Sequence, residues 1–306
     1  MLEIRDINLS FSRKILYKVC LSLYRGEVVG LVGKSGEGKS SLLNVIAGFL
    51  SPSSGEVWLD SKKMPYCSQL LIPGFKEIAI VNQDFQLDPF HTVEENIREK
   101  VLHLPRDKRD KRVEKLLKMM ELSEIRATKA HLVSGGEKQR IAIARAIANP
   151  ADFLLLDEPF GHLDGRLRQK IGHQLLQLAK EENRGILLVS HDGQDVLSMS
   201  DRICLLKNGK LSAKKESQKL YYDTRNIKQS LLFGPVNSIT WKGEKIHFRP
   251  DEYSVASENG IPLHFSKAVF VGSLFHNYFY GPNEEEIVLY HLEPLHELRQ
   301  IHIRRR

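Results

Sequence analysis

The sequence predicts an α/β protein built on a largely parallel sheet, followed by a small all-β domain. Three observations carry that reading. Strand-sized apolar runs alternate with helical patterns through the first two thirds of the chain, a glycine-rich loop separates one such run from a helix, and past about residue 215 the texture changes to short alternating segments. The chain has 306 residues, enough for two domains of roughly 100–200 residues each. Hydrophobic residues make up 42% and charged residues 27%, a globular balance that excludes disordered and collagen-like classes.

Taken in order, residues 2–9 and 18–24 read as short strands, and a turn at Arg25-Gly26-Glu27 precedes a fully apolar strand at 28–32. The glycine-rich loop follows, then a helix over 40–49 with apolar residues at 42, 43, 46 and 47, broken by Ser51-Pro52-Ser53-Ser54-Gly55. A strand at 78–82 leads to a helix over 107–122, where Val113, Leu116, Leu117 and Met120 share one face. Its basic run at 107–112 reads as a solvated outer face. A helix over 137–148 is stopped by Asn149-Pro150, because proline disfavours helix in the residue before it. Then come a strand at 153–156, a helix at 166–180, and strands at 186–190 and 202–206 before the turn Asn208-Gly209. After a polar helical stretch at 214–222, segments such as 245–249, 267–271 and 286–290 alternate as strands of a β domain.

The longest apolar runs are strand-sized, far short of the roughly 18 residues that span a bilayer. The opening Met1-Leu2-Glu3-Ile4-Arg5 shows no basic stretch leading into an apolar one, so the cytoplasm is the default expectation. Cys20, Cys67 and Cys204 are odd in number, far apart and without ligand spacing. They argue against a disulfide framework or structural zinc, and read as packing residues. A net charge of +7 suits an anionic ligand, nucleic acid or an inner membrane surface without choosing among them.

Gly33-Lys34-Ser35-Gly36-Glu37-Gly38-Lys39-Ser40 fits GxxxxGK[ST] between a buried strand and a helix start. Glycines there let backbone N–H groups curl round phosphate oxygens, Lys39 reaches the outer phosphates, and Ser40 offers a hydroxyl to Mg²⁺. The strand at 153–156 ends in Asp157-Glu158. Two acids after a strand are by themselves an ordinary turn, but beside a phosphate loop they suit a metal ligand, Asp157, and a water-polarising carboxylate, Glu158. Ser134-Gly135-Gly136 opens a second helix and forms a second natural anion site, although alone it is most often a cap and turn.

With these residues in hand, the first 215 or so residues resemble an ATP-binding cassette ATPase, with the family's motifs in order. Val133-Ser134-Gly135-Gly136-Glu137-Lys138-Gln139-Arg140 resembles its signature, Ile80-Val81-Asn82-Gln83 its glutamine loop, Gly161-His162-Leu163-Asp164 its aspartate loop and Val189-Ser190-His191-Asp192 its histidine switch. Val133 stands where leucine is usual, Glu137 where glutamine is, and Gly161-His162 replaces a more frequent small pair. The resemblance implies a P-loop core with an antiparallel β subdomain, a helical subdomain at about 85–150, and a nucleotide-binding domain covering 1–222. It implies ATP and Mg²⁺ as cofactors. Nucleotide would be bound by Phe11, the 33–40 loop with Ser41, Ser134, Gly135, Gly136, Glu137 and Asp164; metal by Ser40, Gln83 and Asp157; and catalysis would fall to Glu158, His191 and Gln83.

It also implies partners: a second copy, head to tail, so that one signature completes the other's phosphate site; membrane permease subunits docked beside Gln83, around residues 84–92; and an extracytoplasmic substrate-binding protein. The chain would then lie at the cytoplasmic face of the inner membrane, with no nucleic acid as partner. Residues 230–306 are similar to the β regulatory domain of importer ATPases through Phe233-Gly234-Pro235-Val236-Asn237, Phe248-Arg249-Pro250-Asp251-Glu252 and Val271-Gly272-Ser273. An importer of ferric iron, a polyamine or an oxyanion is the expectation. The alternative is a soluble relative acting on nucleic acid or ribosomes, and the short span between Gln83 and Ser134, with no coiled coil or zinc module, argues against it.

Overall fold

In the computed structural model, which describes residues 1–82 and 84–304, the fully apolar runs become the centre of a parallel sheet. The chain divides into two compact units, Met1–Lys215 and Glu216–Arg306. In chain order the first comprises β1 (Leu2–Ser10), β2 (Lys14–Leu23), β3 (Val28–Val32), α1 (Lys39–Ile46), β4 (Ser54–Leu59), β5 (Lys62–Lys63) and β6 (Ile78–Val81). These are followed by α2 (Val93–Arg98), α3 (Arg106–Met119), α4 (Gly135–Ala148), β7 (Phe153–Asp157), α5 (Gly165–Glu181), β8 (Gly185–Ser190), α6 (Gly193–Met199), β9 (Arg202–Lys207) and β10 (Lys210–Leu211).

The central sheet has the order β10-β9-β3-β8-β7-β6, and β9, β3, β8, β7 and β6 run parallel. Strands buried on both faces read as unbroken apolar runs, and every residue of β3, β7 and β8 is buried. Two cores take alternate residues. Leu154, Leu156, Ile186 and Leu188 enter one, with helices α3, α4 and α5; Phe153, Leu155, Leu187 and Val189 enter the other, with α1 and the outer sheet. That period of two fixes register, since a one-residue slip would exchange the two faces of a strand.

The outer sheet is antiparallel, order β2-β1-β4-β5. The sequence reading gives no strand at β4, because the Ser-Pro-Gly cluster before it reads as a long break; Val57 and Leu59 nevertheless alternate into the core. Helix α2 is also unforeseen. It has only six residues, too few for a periodic signal, and is held by a capping box in which Thr92 Oγ1 accepts from Glu95 N and Glu95 Oε2 accepts from Thr92 N. The basic run in α3 is not uniformly solvated. Arg112 turns inward, donates to the Ile147 carbonyl at 2.9 Å and pairs with Glu182.

The second unit folds round its own core of Ile239, Phe248, Leu263, Phe279, Leu289 and Ile301. Three antiparallel sheets enclose it: 237–241 with 244–248; 253–255, 300–303 and 261–262; and 264–270, 275–280 and 286–291. Helix Ser217–Tyr222 falls in this unit, and the carbonyl of its Tyr221 is bound by the Arg249 side chain.

Of the three cysteines only Cys204 is buried; Cys20 is exposed, and its sulfur accepts the Asp6 N–H at 3.3 Å, so packing does not account for it. Burial pushes the Cys204 thiol up to about 12. At pH 8 the thiolate, which is the reactive form, is then about a 10⁻⁴ fraction. Iodoacetamide at that pH should therefore label Cys20 in the native protein and Cys204 only after unfolding, as peptide mass mapping would record; native labelling of Cys204 would contradict its place in the core.

Candidate active site

The site assembles at the C-terminal ends of β3, β7 and β8. Past Val32 the backbone turns through Gly36 and Gly38, both in the left-handed region, at φ 80 and 97. A Cβ on Gly38 would lie 2.9 Å from Ile15 Cγ2, so conformation and space both demand glycine there. Helix α1 then starts with no side-chain cap and no acidic residue in its first turn. By contrast, α2, α4, α5 and α6 are capped by Thr92, Ser134, Asp164 and Asp192. The first amides of α1 are left for an anion, at the positive end of the helix dipole.

Lys39 is 6% exposed. Its Nζ donates to the carbonyls of Gly33 at 2.9 Å and Lys34 at 3.1 Å, and lies 3.7 Å from Glu158 Oε1. The ammonium thus lies over the loop where outer phosphates would sit. Lys34, Ser35, Gly36 and Ser40 are exposed, whereas the Glu37 carboxylate turns away to accept from the Asn208 N–H. Ser41 is half-buried in the first turn of α1.

Asp157, the last residue of β7, is 4% exposed, and its Oδ1 is buried without a partner. Burial raises its carboxyl above the usual carboxylate range, a hydrogen bond with Ser40 works against that, and the Glu158 charge adds to it. A buried carboxylate oxygen left unpaired, beside a hydroxyl, is costly by itself. A hard divalent cation accepting one or two protein oxygens plus phosphate fits this pair. Gln83, expected as both a catalytic residue and a metal ligand, lies outside the described residues.

Glu158 follows at φ 50, a left-handed conformation that is strained for a side-chain-bearing residue. Its N–H donates to the Val189 carbonyl at 2.9 Å, and its Oε2 lies 2.6 Å from His191 Nδ1. His191 stands just past β8 and is 63% exposed, so it faces open space beyond the carboxylate. Lys39, Ser40, Asp157, Glu158 and His191 therefore meet at one place.

The other expected residues take no part in these contacts. Phe11, in the turn between β1 and β2, is 63% exposed, a free ring on the hairpin whose Ile15 and Leu16 lean on Gly38. Ser134 Oγ donates to Glu137 Oε2 at 2.8 Å, and a Cβ on Gly136 would lie 2.9 Å from the His162 carbonyl. The signature turn thus abuts the aspartate loop and has its exposed side free. Asp164 caps α5, its Oδ1 accepting from Leu167 N at 2.9 Å. Gln139 belongs to the signature motif but carries no expected role there; its one signal in the sequence is a polar residue on the stripe that α4 buries.

A glycine loop that leaves helix amides free, a lysine over it, and paired carboxylates at the next strand define a nucleoside-triphosphate site of the P-loop class. The family model described as ABC transporter matches residues 16–161. The spermidine/putrescine import ATP-binding protein PotA of Legionella pneumophila is 34% identical over 266 residues, 86% of this chain and 71% of that one. The Fe(3+) ions import ATP-binding protein FbpC of Yersinia pestis is 37% identical, covering 72% of this chain and 63% of that one. Among solved structures, a dimeric bacterial ABC transporter cassette superposes with a TM-score of 0.65 at 31% identity, over 71% of this chain and 99% of that one. The cbiO1 protein of Clostridium perfringens, part of an ABC transporter complex, gives 0.63 at 28%, over 76% and 94%. The chain belongs to the ABC transporter family, and is one of its ATP-hydrolysing cassette subunits.

Proposed function

We propose that the chain powers an import transporter by Mg²⁺-dependent ATP hydrolysis at the cytoplasmic face of the inner membrane. The observation that carries the hydrolytic reading is the meeting of Lys39, Ser40, Asp157, Glu158 and His191 at the ends of three buried strands. The α1 amides and Lys39 bind the β- and γ-phosphates, Lys39 exchanging the loop carbonyls for phosphate oxygens. Ser40 and Asp157 hold Mg²⁺, which when bound neutralises phosphate charge and aligns the leaving group. Glu158 takes a proton from the attacking water, with His191 fixing the carboxylate and reaching the γ-phosphate side. Phe11 stacks on adenine, and Ser134, Gly135 and Gly136 of a second copy close the γ-phosphate side, head to tail. Asp164 and Glu137 act at that junction.

The transport reading is supported by the extent of the likeness to importer subunits. A match over 86% of the chain cannot fit inside Met1–Lys215, so it reaches the second unit. A groove lined by Ile72, Phe75, Phe85, Lys100 and Arg145 also takes in Asn82 and Gln86, and Leu71 and Phe90 are exposed. It suits an apolar, weakly charged segment of a permease subunit. Arg145, in α4, binds the Gln86 carbonyl. No helix among the described residues is long and apolar enough to cross a membrane; in this reading the pore belongs to partner subunits. The cargo is a polyamine or ferric iron, delivered by an extracytoplasmic binding protein, and the second unit regulates the motor. The relatives matched are transporter subunits, which favours this reading over action on nucleic acid.

Cells of the source organism carrying only Lys39→Met should lose ATP-dependent uptake of labelled putrescine or of ferric iron, and the purified variant should lose at least 10²-fold in ATP hydrolysis, since one group stabilising the transferring phosphoryl is worth that much. Unchanged uptake of both solutes with hydrolysis abolished would refute the importer assignment while leaving the ATPase one intact.

A further inference from the structure

Gln139 lies in α4, past Ser134 towards the middle of the helix, and is 3% exposed. Both ends of its amide are engaged: Nε2 donates to the Glu158 carbonyl at 2.9 Å, and Oε1 accepts from the His162 N–H at 3.0 Å. The amide orientation is forced. A backbone carbonyl can only accept and a backbone N–H can only donate, so a flipped amide would set two acceptors and two donors face to face. Packing alone does not call for this residue, since leucine or methionine would fill the same space among the alanines and isoleucines of the buried stripe.

What the amide grips is the strained peptide. A left-handed Glu158 persists only where its surroundings over-determine it. The Val189 carbonyl holds its N–H, Gln139 holds its carbonyl, and a longer bond from Gly161 N, 3.4 Å, adds to the latter. The Glu158 carboxylate is aimed at His191 and Lys39 only while that backbone stays put. A displacement of about 1 Å at a reacting group can cost about 10²-fold in rate.

We propose that Gln139 is the positioning residue for Glu158, and that it couples the Ser134 end of α4 to the hydrolytic carboxylate and to the 161–164 loop. The proposal rests on Glu158 being the base. It adds a regulatory route: seating of Ser134 on the partner's nucleotide moves α4, and through one amide the movement reaches Glu158 of the same chain, which serves the other composite site. The two sites of a dimer then report to each other through Gln139.

The experiment compares Gln139→Met, which keeps volume and loses both bonds, and Gln139→Glu, which still accepts from His162 but cannot donate to Glu158, with Glu158→Gln. In either folded Gln139 variant kcat should fall about 10²-fold, the Kd for ATP should stay within a few fold, and ATP-bound dimer should accumulate on hydrolysable ATP in gel filtration. A residue that merely supported the fold would lower ATP binding and dimer together with turnover, and that outcome overturns the proposal, as does failure of both variants to fold. Full turnover in a folded variant, with Glu158→Gln inactive, overturns it alone. If Glu158→Gln itself stays active, the base assignment falls and the proposal goes with it.

Discussion

Glu158→Gln should lower ATP turnover by 10²- to 10⁴-fold while leaving ATP affinity within a few fold. The substitution is isosteric, so the φ 50 backbone and its bonds to Val189 and Gln139 remain. The amide can still face His191 Nδ1, 2.6 Å from Oε2 in the native protein, and Lys39, 3.7 Å from Oε1. What disappears is the ability to take a proton from water in the transition state, worth about 10²–10⁴ for a well-placed base, or about 3–5 kcal/mol of barrier. The phosphate contacts come from α1 amides, Lys39 and Ser40 and are untouched. Binding without turnover should then trap the ATP-bound dimer, visible as a stable shift in gel filtration with ATP and Mg²⁺ and reversed by chelation. Turnover within a few fold of the unsubstituted protein would remove Glu158 from the base role and leave His191 as the next group to test.

Much of this site is legible in the sequence because each part is local. The phosphate loop is eight consecutive residues, and Asp157 and Glu158 follow a run so apolar that a buried strand is its only sensible state. The core strands are legible for the same reason, since burial on both faces leaves polar residues only at their ends. What escapes depends on distance along the chain. Gln139 reaches residues 19 and 23 positions away, and Glu37, drawn into the phosphate loop by its motif, instead serves Asn208, 171 residues on. Nothing in one dimension says where an amide on a buried helical stripe finds its partners. Short elements fail differently. Helix α2 owes its existence to a capping box and to Val93 and Ile97 entering a core made by α3 and α4, so tertiary packing, not periodicity, decides it.

Arg249→Lys should destabilise the second unit by about 3–5 kcal/mol, the range for breaking a buried charged network. Arg249 is fully buried. Its Nε donates to the Tyr221 carbonyl at 2.7 Å, Nη1 to Gly234 and Pro235 at 2.9 and 3.0 Å, and Nη2 to Ser230 at 3.0 Å. Its guanidinium also lies 4.1 Å from the Tyr221 ring centroid. These carbonyls lie in the last turns of the short helices at 217–222 and 227–230 and in the loop at 234–235, where carbonyls lack intrahelical partners, so the planar fork substitutes for the missing ladder. Lysine has the charge but neither the reach nor the five fixed donors, and each carbonyl left buried and unpaired costs about 1–3 kcal/mol. For a unit of this size every 1 kcal/mol shifts the melting point by about 4–8 °C, so a calorimetric scan should show a transition of the second unit lowered by more than about 10 °C. The transition protected by ATP should stay in place, because every residue of the nucleotide site lies in Met1–Lys215. A lysine variant melting within 2 or 3 °C of the unsubstituted protein would mean that these carbonyls find other partners, and that the Arg249 network is not what orders the segment from 221 to 235.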